Sequence, residues 1–323
     1  MEPTFPLFRL PEKAIVHVLQ NMNSDRLFIF SLVSTKTKNL VTSLGLRAVS
    51  VYIGISFEIC LNVNFDTSGW NLIFSNGSND QNAEFDVTRP ISASTFSLHQ
   101  PFQPSTPFNF SDWLNHILTI FCCTNNLLAV KFRAGSEQFE MESLKNTLKN
   151  VNGLAITEGV TDIHSKQILN SFKDLKKLAL ERNPFEDNCE VQKFFIQNFE
   201  KIEFCDVYSL DDMLLVNSEK VRFTKPISQK QFNQFLKHWI RGSNPRLQDM
   251  FLSIDNTTSV SREVLLKGID CVDVAEEEQQ EICQELSIVS DYMVEIRRND
   301  ETTAVIATKD FENNLYIRFF AYY

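Results

Sequence analysis

A repeat in the middle of the chain sets the strongest limit on its fold. The pattern is an apolar residue, two variable positions, a second apolar residue, one variable position and a third apolar residue. The second apolar residue of successive copies is Val130, Leu154, Leu178 and Ile202, so the copies are 24 residues apart. Less regular copies follow at Val221 and Met250, and a possible first copy lies at Val49. Self-similarity at a fixed period indicates a stack of similar structural units.

This spacing is within the range of leucine-rich repeats, in which each unit supplies a short strand followed by a helix or turn. One strand and one helix cannot bury their apolar faces alone, whereas stacked neighbours can. The clearest intervening helix runs from Ser228 to Ile240, carries Phe235 and Trp239 on one stripe, and ends before Gly242. We therefore expect an α+β to α/β fold with a strand/helix solenoid like that of leucine-rich repeats.

The C-terminal part of the chain has a different pattern. An acidic run from Asp273 to Glu285 favours a helix, and three apolar segments after it predict an antiparallel β-meander. The segments are Tyr292 to Arg297, Thr302 to Thr308 and Leu315 to Tyr322. The expected organisation has four parts: a helical module at 1–48, an irregular strand/loop segment that starts the repeat region at 49–125, the repeats at 126–256, and the acidic helix with the meander at 257–323.

Residues 10 to 44 predict three short helices at the N-terminus. Leu10-Pro11-Glu12 opens the first, because Pro is tolerated where a helix starts and an acidic residue suits its positive end. A bundle of roughly 40 residues is close to the lower size limit for an independent core. The module also has more apolar residues than so small a bundle can hide. Either the following domain or a partner protein must cover the surplus.

The apolar pattern of this module resembles an F-box over roughly residues 5 to 45. The matching positions are Leu10-Pro11-Glu12, Ile15, Val18-Leu19, Met22, Leu27 and Leu32-Val33-Ser34, followed by Lys36, Lys38 and Val41. Thr37 stands where many F-boxes have Trp. The resemblance implies docking on a Skp-type adaptor, which connects an F-box to a cullin–RING ubiquitin ligase. The residues implied to contact the adaptor are Leu10, Pro11, Ile15, Val18, Leu19, Met22, Leu27, Leu32 and Val33.

A second segment, from Phe232 to Leu252, resembles the type 2 F-box-associated domain. The run Trp239-Ile240-Arg241-Gly242-Ser243-Asn244-Pro245-Arg246-Leu247 carries the likeness, which is looser back to about residue 180. In that family such a domain follows an F-box in substrate receptors. The resemblance therefore implies that this half of the chain binds an unknown target protein.

Charge and cysteine content limit the other partners. Lys and Arg number 31 and Asp and Glu 41, giving a formal charge of −10, and an acidic surface repels nucleic acid. No apolar run reaches the roughly 18 residues of a membrane helix, and no secretory leader is apparent. The 7 cysteines are scattered without a CxxC pair, which favours free thiols in a reducing compartment. We expect an intracellular protein of the cytoplasm, the nucleus or both, with no nucleic-acid or membrane partner.

Sequence motifs of catalysis are absent, including GxSxG, GxxxxGK[ST], HExxH and GxGxxG. We therefore predict a non-catalytic subunit without cofactor or metal: the substrate-recognition adaptor of an SCF-type (Skp–cullin–F-box) ubiquitin ligase. One alternative is a leucine-rich-repeat-like protein-interaction module that acts outside any ligase. A further alternative is an enzyme whose active site assembles from residues distant in sequence.

Overall fold

The computed structural model describes residues 7–75, 85–95, 101–121, 128–255 and 260–322. The chain forms two compact units, unit 1 up to Asp174 and unit 2 from Leu175 onward. Both units combine helices with β-strands, in agreement with the expected mixture. The predicted four-part division stays a prediction, and its boundaries at 125/126 and 256/257 lie outside the described residues.

Unit 1 begins with the three short helices that the sequence predicts. They are α1 (Glu12–Gln20), α2 (Ser24–Ser31) and α3 (Thr35–Ser43). Ser34 caps α3, because its hydroxyl accepts a hydrogen bond from the Thr37 backbone N–H at 3.2 Å while Thr37 Oγ1 accepts one from the Ser34 N–H at 2.9 Å. This reciprocal pair is a capping box. Thr37 is fully buried, so its small side chain closes the start of α3 at a position where many F-boxes have Trp.

The rest of unit 1 is a mixed sheet with three more helices. Its elements are β1 (Ser50–Ile55), β2 (Ile59–Asn64), β3 (Gly69–Phe74), β4 (Ala93–Ser94), α4 (Phe110–Ile120), β5 (Leu128–Phe132), α5 (Met141–Thr147), β6 (Gly153–Ile156) and α6 (Asp162–Ser171). The strand order is β6-β5-β1-β2-β3-β4. Strands β1 to β4 pair antiparallel, whereas β1, β5 and β6 are parallel. The segment 49–125 is therefore more regular than expected.

The predicted position of the first repeat, with Val49 as its second apolar residue, is wrong by four residues. Strand β1 starts at Ser50, and Ile53, not Val49, lies opposite Val130 of β5. Val49 is half exposed, whereas Ile53 is fully buried. The reason is the β1–β2 hairpin, in which Ile53 pairs with Leu61. Because a strand's register decides which side chains face the core, this pairing outweighs the local pattern.

Unit 2 alternates strands and helices before it ends in antiparallel strands. Its elements are β7 (Lys177–Leu180), α7 (Asn188–Phe195), β8 (Lys201–Phe204), α8 (Leu210–Leu215), β9 (Lys220–Phe223), α9 (Gln229–Ile240), β10 (Asp249–Asp255), α10 (Arg262–Leu265), β11 (Cys271–Asp273), α11 (Glu276–Glu285), β12 (Tyr292–Arg297), β13 (Thr303–Phe311) and β14 (Asn314–Tyr322). The strand order is β7-β8-β9-β10-β14-β13-β12-β11.

The repeat positions lie in register across the parallel strands of unit 2. Leu178 is opposite Ile202, Ile202 opposite Val221, and Val221 opposite Met250, and all four are buried. Helices cover this side of the sheet, where the Phe195 ring of α7 lies 5.2 Å from the Phe204 ring of β8. The predicted strands are thus present at the repeat spacing. The solenoid form of the repeats stays a prediction.

The C-terminal meander is present as predicted. Strands β12, β13 and β14 pair antiparallel, and β14 pairs with β10. The acidic helix α11 packs against the sheet face opposite α7 and α9. Its Ile282 shares a buried cluster with Met293, Val305, Ala307 and Phe320. The acidic residues of α11 therefore face water while its apolar side is buried.

Candidate functional site

The helical module, defined as α1 to α3, is anchored in unit 1 by Phe28 of α2. This side chain is fully buried. The centroid of its ring lies 4.8 Å from that of Trp70 on β3 and 6.0 Å from that of Trp113 on α4. Aromatic pairs at these distances add stability beyond the area that they bury. The inner face of α2 is therefore part of the core of unit 1.

A buried polar contact fixes the same helix. Ser31 Oγ lies 2.7 Å from His116 Nε2 of α4 and donates its proton to the Phe28 carbonyl at 2.5 Å. Since the hydroxyl has one proton, the ring nitrogen donates to the hydroxyl, which requires a proton on Nε2 of His116. Burial, with a smaller effect of the Lys38 charge, lowers the pKa of His116 to about 4. The ring is accordingly neutral near pH 7.

Large apolar side chains of the module, and one just before it, are exposed. Phe8 before α1, Val18 on α1 and Val33 after α2 are 45, 43 and 67% exposed. Covering such side chains with a partner is favourable by about 1.5–3 kcal/mol for each one fully buried. The module thus has one apolar side inside unit 1 and further apolar side chains available to another protein.

The nine residues that the F-box resemblance implied as adaptor contacts occupy different environments. Ile15, Leu19 and Leu27 are buried. Pro11, Val18 and Val33 are exposed, and Leu10, Met22 and Leu32 are half-buried. The buried residues hold the helices together, so only the other six are accessible to a partner without rearrangement. Contact with an adaptor stays a prediction for all nine.

Phe8 belongs to this surface, although the sequence interpretation missed it. Its ring stacks on Phe30 with the centroids 6.5 Å apart, and Lys36 Nζ lies 4.5 Å from the centroid of the Phe8 ring. Contacts of a cation with an aromatic face restrain an exposed ring. The signal in the sequence was the apolar pair Leu7-Phe8 just before Leu10-Pro11.

A second surface lies on the side of the unit 2 sheet opposite α7 and α9. Side chains alternate between the two sides of a strand, so Lys201 and Glu203 of β8 point away from the buried Ile202. We call this surface the outer strand face. Its side chains are Lys177, Lys201, Glu203, Lys220, Arg222, Asp249, Phe251, Tyr316 and Arg318. Lys177, Lys201 and Lys220 lie opposite one another on three neighbouring strands.

Positive charge is in excess on this face. A groove of about 660 Å³ is lined by five basic and three acidic residues: Lys177, Lys201, Lys220, Arg222, Arg318, Glu200, Glu219 and Asp249. Arg318 pairs with Asp249 at 2.9 Å, and Glu200 pairs with Lys176 at 2.8 Å. Lys177 and Lys220 are exposed and form no ion pair with another described residue. The charge of this face is opposite to the net charge of −10 of the chain.

An apolar cleft of about 380 Å³ adjoins the charged groove. It is lined by Phe251, Ile288, Val289, Ala307, Lys309, Phe311, Tyr316, Ile317 and Arg318. Phe251 and Arg318 line the groove as well as the cleft. The Phe251 ring stacks on Tyr316 with the centroids 5.9 Å apart. The Arg222 guanidinium lies 5.0 Å from the centroid of the Phe251 ring. Charged and apolar binding groups are therefore continuous on one face.

The described part of the chain has no group of three or more His, Cys, Asp or Glu side chains placed to hold a metal ion. Within the same residues no helix combines the length and the apolar character needed to cross a bilayer. The buried His116 is engaged with Ser31. The two surfaces above are therefore the arrangements that we consider for function, and both suit the binding of another macromolecule.

Two regions of the chain match known protein families. Residues 7–48 match the family F-box domain, and residues 190–252 match the family F-box associated. The chain is 21% identical over 273 residues to F-box associated domain-containing protein sdz-33 of Caenorhabditis elegans, covering 83% of this chain and 86% of that protein. No solved structure matches the chain. The F-box match thus contains the helical module, and the F-box-associated match lies within unit 2.

Proposed function

We propose that this chain is the substrate-recognition subunit of an SCF-type ubiquitin ligase. In this proposal the helical module binds a Skp-type adaptor and unit 2 binds the target protein. The observation that carries it is the coincidence of the F-box match at 7–48 with a module that is anchored by Phe28 and exposes Val18 and Val33. The inner side fixes the module to the rest of unit 1, and the exposed apolar side chains are available to an adaptor.

The contribution of such a subunit to ubiquitination is proximity. Holding the target and the adaptor on one chain raises the effective concentration of a target lysine near the conjugating enzyme of the ligase. The Phe28 and Ser31 contacts hold the module in one position on unit 1, which favours a defined placement of the adaptor relative to this unit. In this proposal the chain contributes binding rather than bond chemistry, and the complex acts in the cytoplasm or nucleus.

Co-purification with a Skp-type adaptor tests the proposal. We expect the full-length chain to form a stable complex with the adaptor, and Val18→Glu and Val33→Glu, tested separately, to weaken it by at least about tenfold. The reason is that each variant places a charge in an interface that would bury the valine. Leu10→Ala combined with Pro11→Ala should weaken the complex as well, through lost apolar contact.

Val49→Glu is the matched control, because Val49 is half exposed in unit 1 but lies beyond the helical module. It should leave adaptor binding unchanged. Circular dichroism on each variant checks that the fold is intact. If the wild-type chain recovers neither adaptor nor cullin, the proposal is wrong and the chain acts outside any ligase. If all variants bind as well as wild type, the exposed side of the module is not the docking surface.

A further inference from the structure

We propose that the outer strand face is the target-binding site of this receptor, and that it binds an acidic protein segment carrying a large apolar side chain. The inference rests on the proposed function, which it extends by naming the surface and the chemistry of the target. The segment would place its carboxylates on the lysine row Lys177, Lys201 and Lys220, and its apolar side chain in the cleft between Phe251, Tyr316 and Phe311.

Charge complementarity is the first argument for this occupant. Parallel strands lie about 4.8 Å apart, so the three lysines form a row roughly 10 Å long. Like charges directly opposite each other on neighbouring strands are destabilising. In this chain three lysines lie opposite one another in this way, although the chain carries 41 acidic residues and a net charge of −10. Carboxylates supplied by a partner would relieve this repulsion.

The neighbouring cleft is the second argument. Val289 and Phe311, both in the cleft lining, are 73 and 56% exposed. A volume of about 380 Å³ is sufficient for one large side chain. Phe251 connects the cleft to the lysine row, since it lies beside Arg222 and is in register with Arg318. A purely charged ligand would leave these apolar side chains in water.

The acidic residues of the face favour a protein segment over nucleic acid. Glu203 lies 3.5 Å from Lys201 and 3.7 Å from Arg222, and Asp249 lies 2.9 Å from Arg318. These carboxylates interrupt the positive surface and would repel a continuous phosphate backbone. A peptide can place its acidic residues over the lysines alone.

Fluorescence polarisation with the full-length chain tests the proposal. The probe is a short labelled peptide of Glu and Asp with one central Phe. Two comparison peptides replace either the acidic residues by Gln and Asn, or the central Phe by Gly. We expect the complete peptide to bind at least about tenfold more tightly than either comparison, and its binding to weaken with added salt.

Charge-reversal variants locate the binding. The triple variant Lys177→Glu, Lys201→Glu, Lys220→Glu should lose at least about tenfold in affinity. The matched control is Lys225→Glu, Lys230→Glu, Lys267→Glu, which makes the same charge change at exposed lysines of unit 2 away from this face. Phe311→Ser should reduce the affinity for the peptide with Phe, but not for the peptide with Gly.

The proposal is overturned if no peptide binds, if the triple variant binds as well as its control, or if an oligonucleotide binds this face more tightly than the peptide. Self-association of the chain in sedimentation experiments, abolished by the triple variant, would also overturn it, since a second copy would then be the occupant. Adaptor binding is measured on the same samples. If the chain binds the adaptor but no peptide, this inference alone is rejected. If the chain binds the peptide but no adaptor, the proposed ligase function is rejected.

Discussion

The helical module and the parallel-strand region of unit 2 bury their apolar side chains in different ways. The helices of the module have 9, 8 and 9 residues, and α2 inserts Phe28 among aromatic side chains of the domain that follows. Strands β7 to β10 instead line up Leu178, Ile202, Val221 and Met250 into a shared core.

The two regions also leave different side chains in water. The module exposes valines and a phenylalanine, whereas the outer strand face exposes lysines in register. Binding through apolar surface depends little on salt, while binding through exposed charges weakens as salt screens them. Under the proposed function, we expect adaptor binding to resist added salt and target binding to weaken with it.

The largest expected effect is on the anchor of the module. Phe28→Ala should lower the free energy of unfolding by about 3–5 kcal/mol, because it leaves a cavity between Trp70 and Trp113. Denaturant unfolding measures the change. Phe8→Ala, at an exposed position of the same region, should cost less than about 1 kcal/mol. Equal losses for the two variants would contradict the distinction between the inner and outer sides of the module.

The second effect depends on pH. The pKa of His116 is lowered from 6.5 to about 4 in the folded state, so the unfolded chain binds a proton more readily between these values. The contribution of the neutral His116 to the free energy of unfolding is fully present above pH 6.5 and decreases as the pH falls toward 4. From about pH 7 to 4.5 we expect a loss of roughly 2–3 kcal/mol of unfolding free energy through this group.

Unfolding curves of His116→Gln should lack this part of the pH dependence. His17→Gln, at an exposed position of α1, is measured over the same pH range as the control for the same substitution outside the core. If His116→Gln has the same pH dependence as wild type, His116 is not held neutral by its burial.

A smaller effect is expected at Ser31. Ser31→Ala removes the acceptor of the His116 Nε2 proton and leaves a buried N–H without its partner, at a cost of about 1–2 kcal/mol. Ser43→Ala removes an exposed hydroxyl on α3 that bonds the Leu40 carbonyl and should cost less than about 0.5 kcal/mol. Thermal unfolding of both variants measures the difference, and similar losses would show that the buried hydrogen bond adds nothing.

The smallest effect is expected at the lysine row. Single changes Lys177→Glu and Lys220→Glu should alter the free energy of unfolding by less than about 0.5 kcal/mol, because both side chains are exposed. Denaturant unfolding checks this. A loss of about 2 kcal/mol or more would assign these lysines a structural role and weaken the case for a binding role.

The sequence predicted the strands of the repeats well because their burial follows local spacing. Val130, Leu178 and Ile202 are buried at the positions that the period indicates. The same reasoning failed at Val49, where a hairpin partner decides the register, and it did not predict helix α4 in the segment 49–125. Helix α4 buries Phe110, Trp113, Ile117 and Ile120 at helical spacing, so its apolar face was present in the sequence.

The candidate site was predicted only in part, since apolar periodicity shows that a face exists but not what covers it. Leu19 and Val18 are neighbours in the sequence, yet Leu19 is buried and Val18 exposed. The contact of Ser31 with His116 joins positions 85 residues apart, and no local pattern indicates it. The lysine row was also invisible locally, because it appears only when the strands are aligned in space.

The most direct test of the central claim is a calorimetric titration of the full-length chain with a purified Skp-type adaptor at low salt and at about 1 M salt. We expect one adaptor per chain, similar affinity in both conditions, and a loss of at least about tenfold for Val33→Glu. No binding by the wild-type chain, or binding that high salt abolishes and Val33→Glu leaves unchanged, would contradict docking through the apolar surface of the F-box.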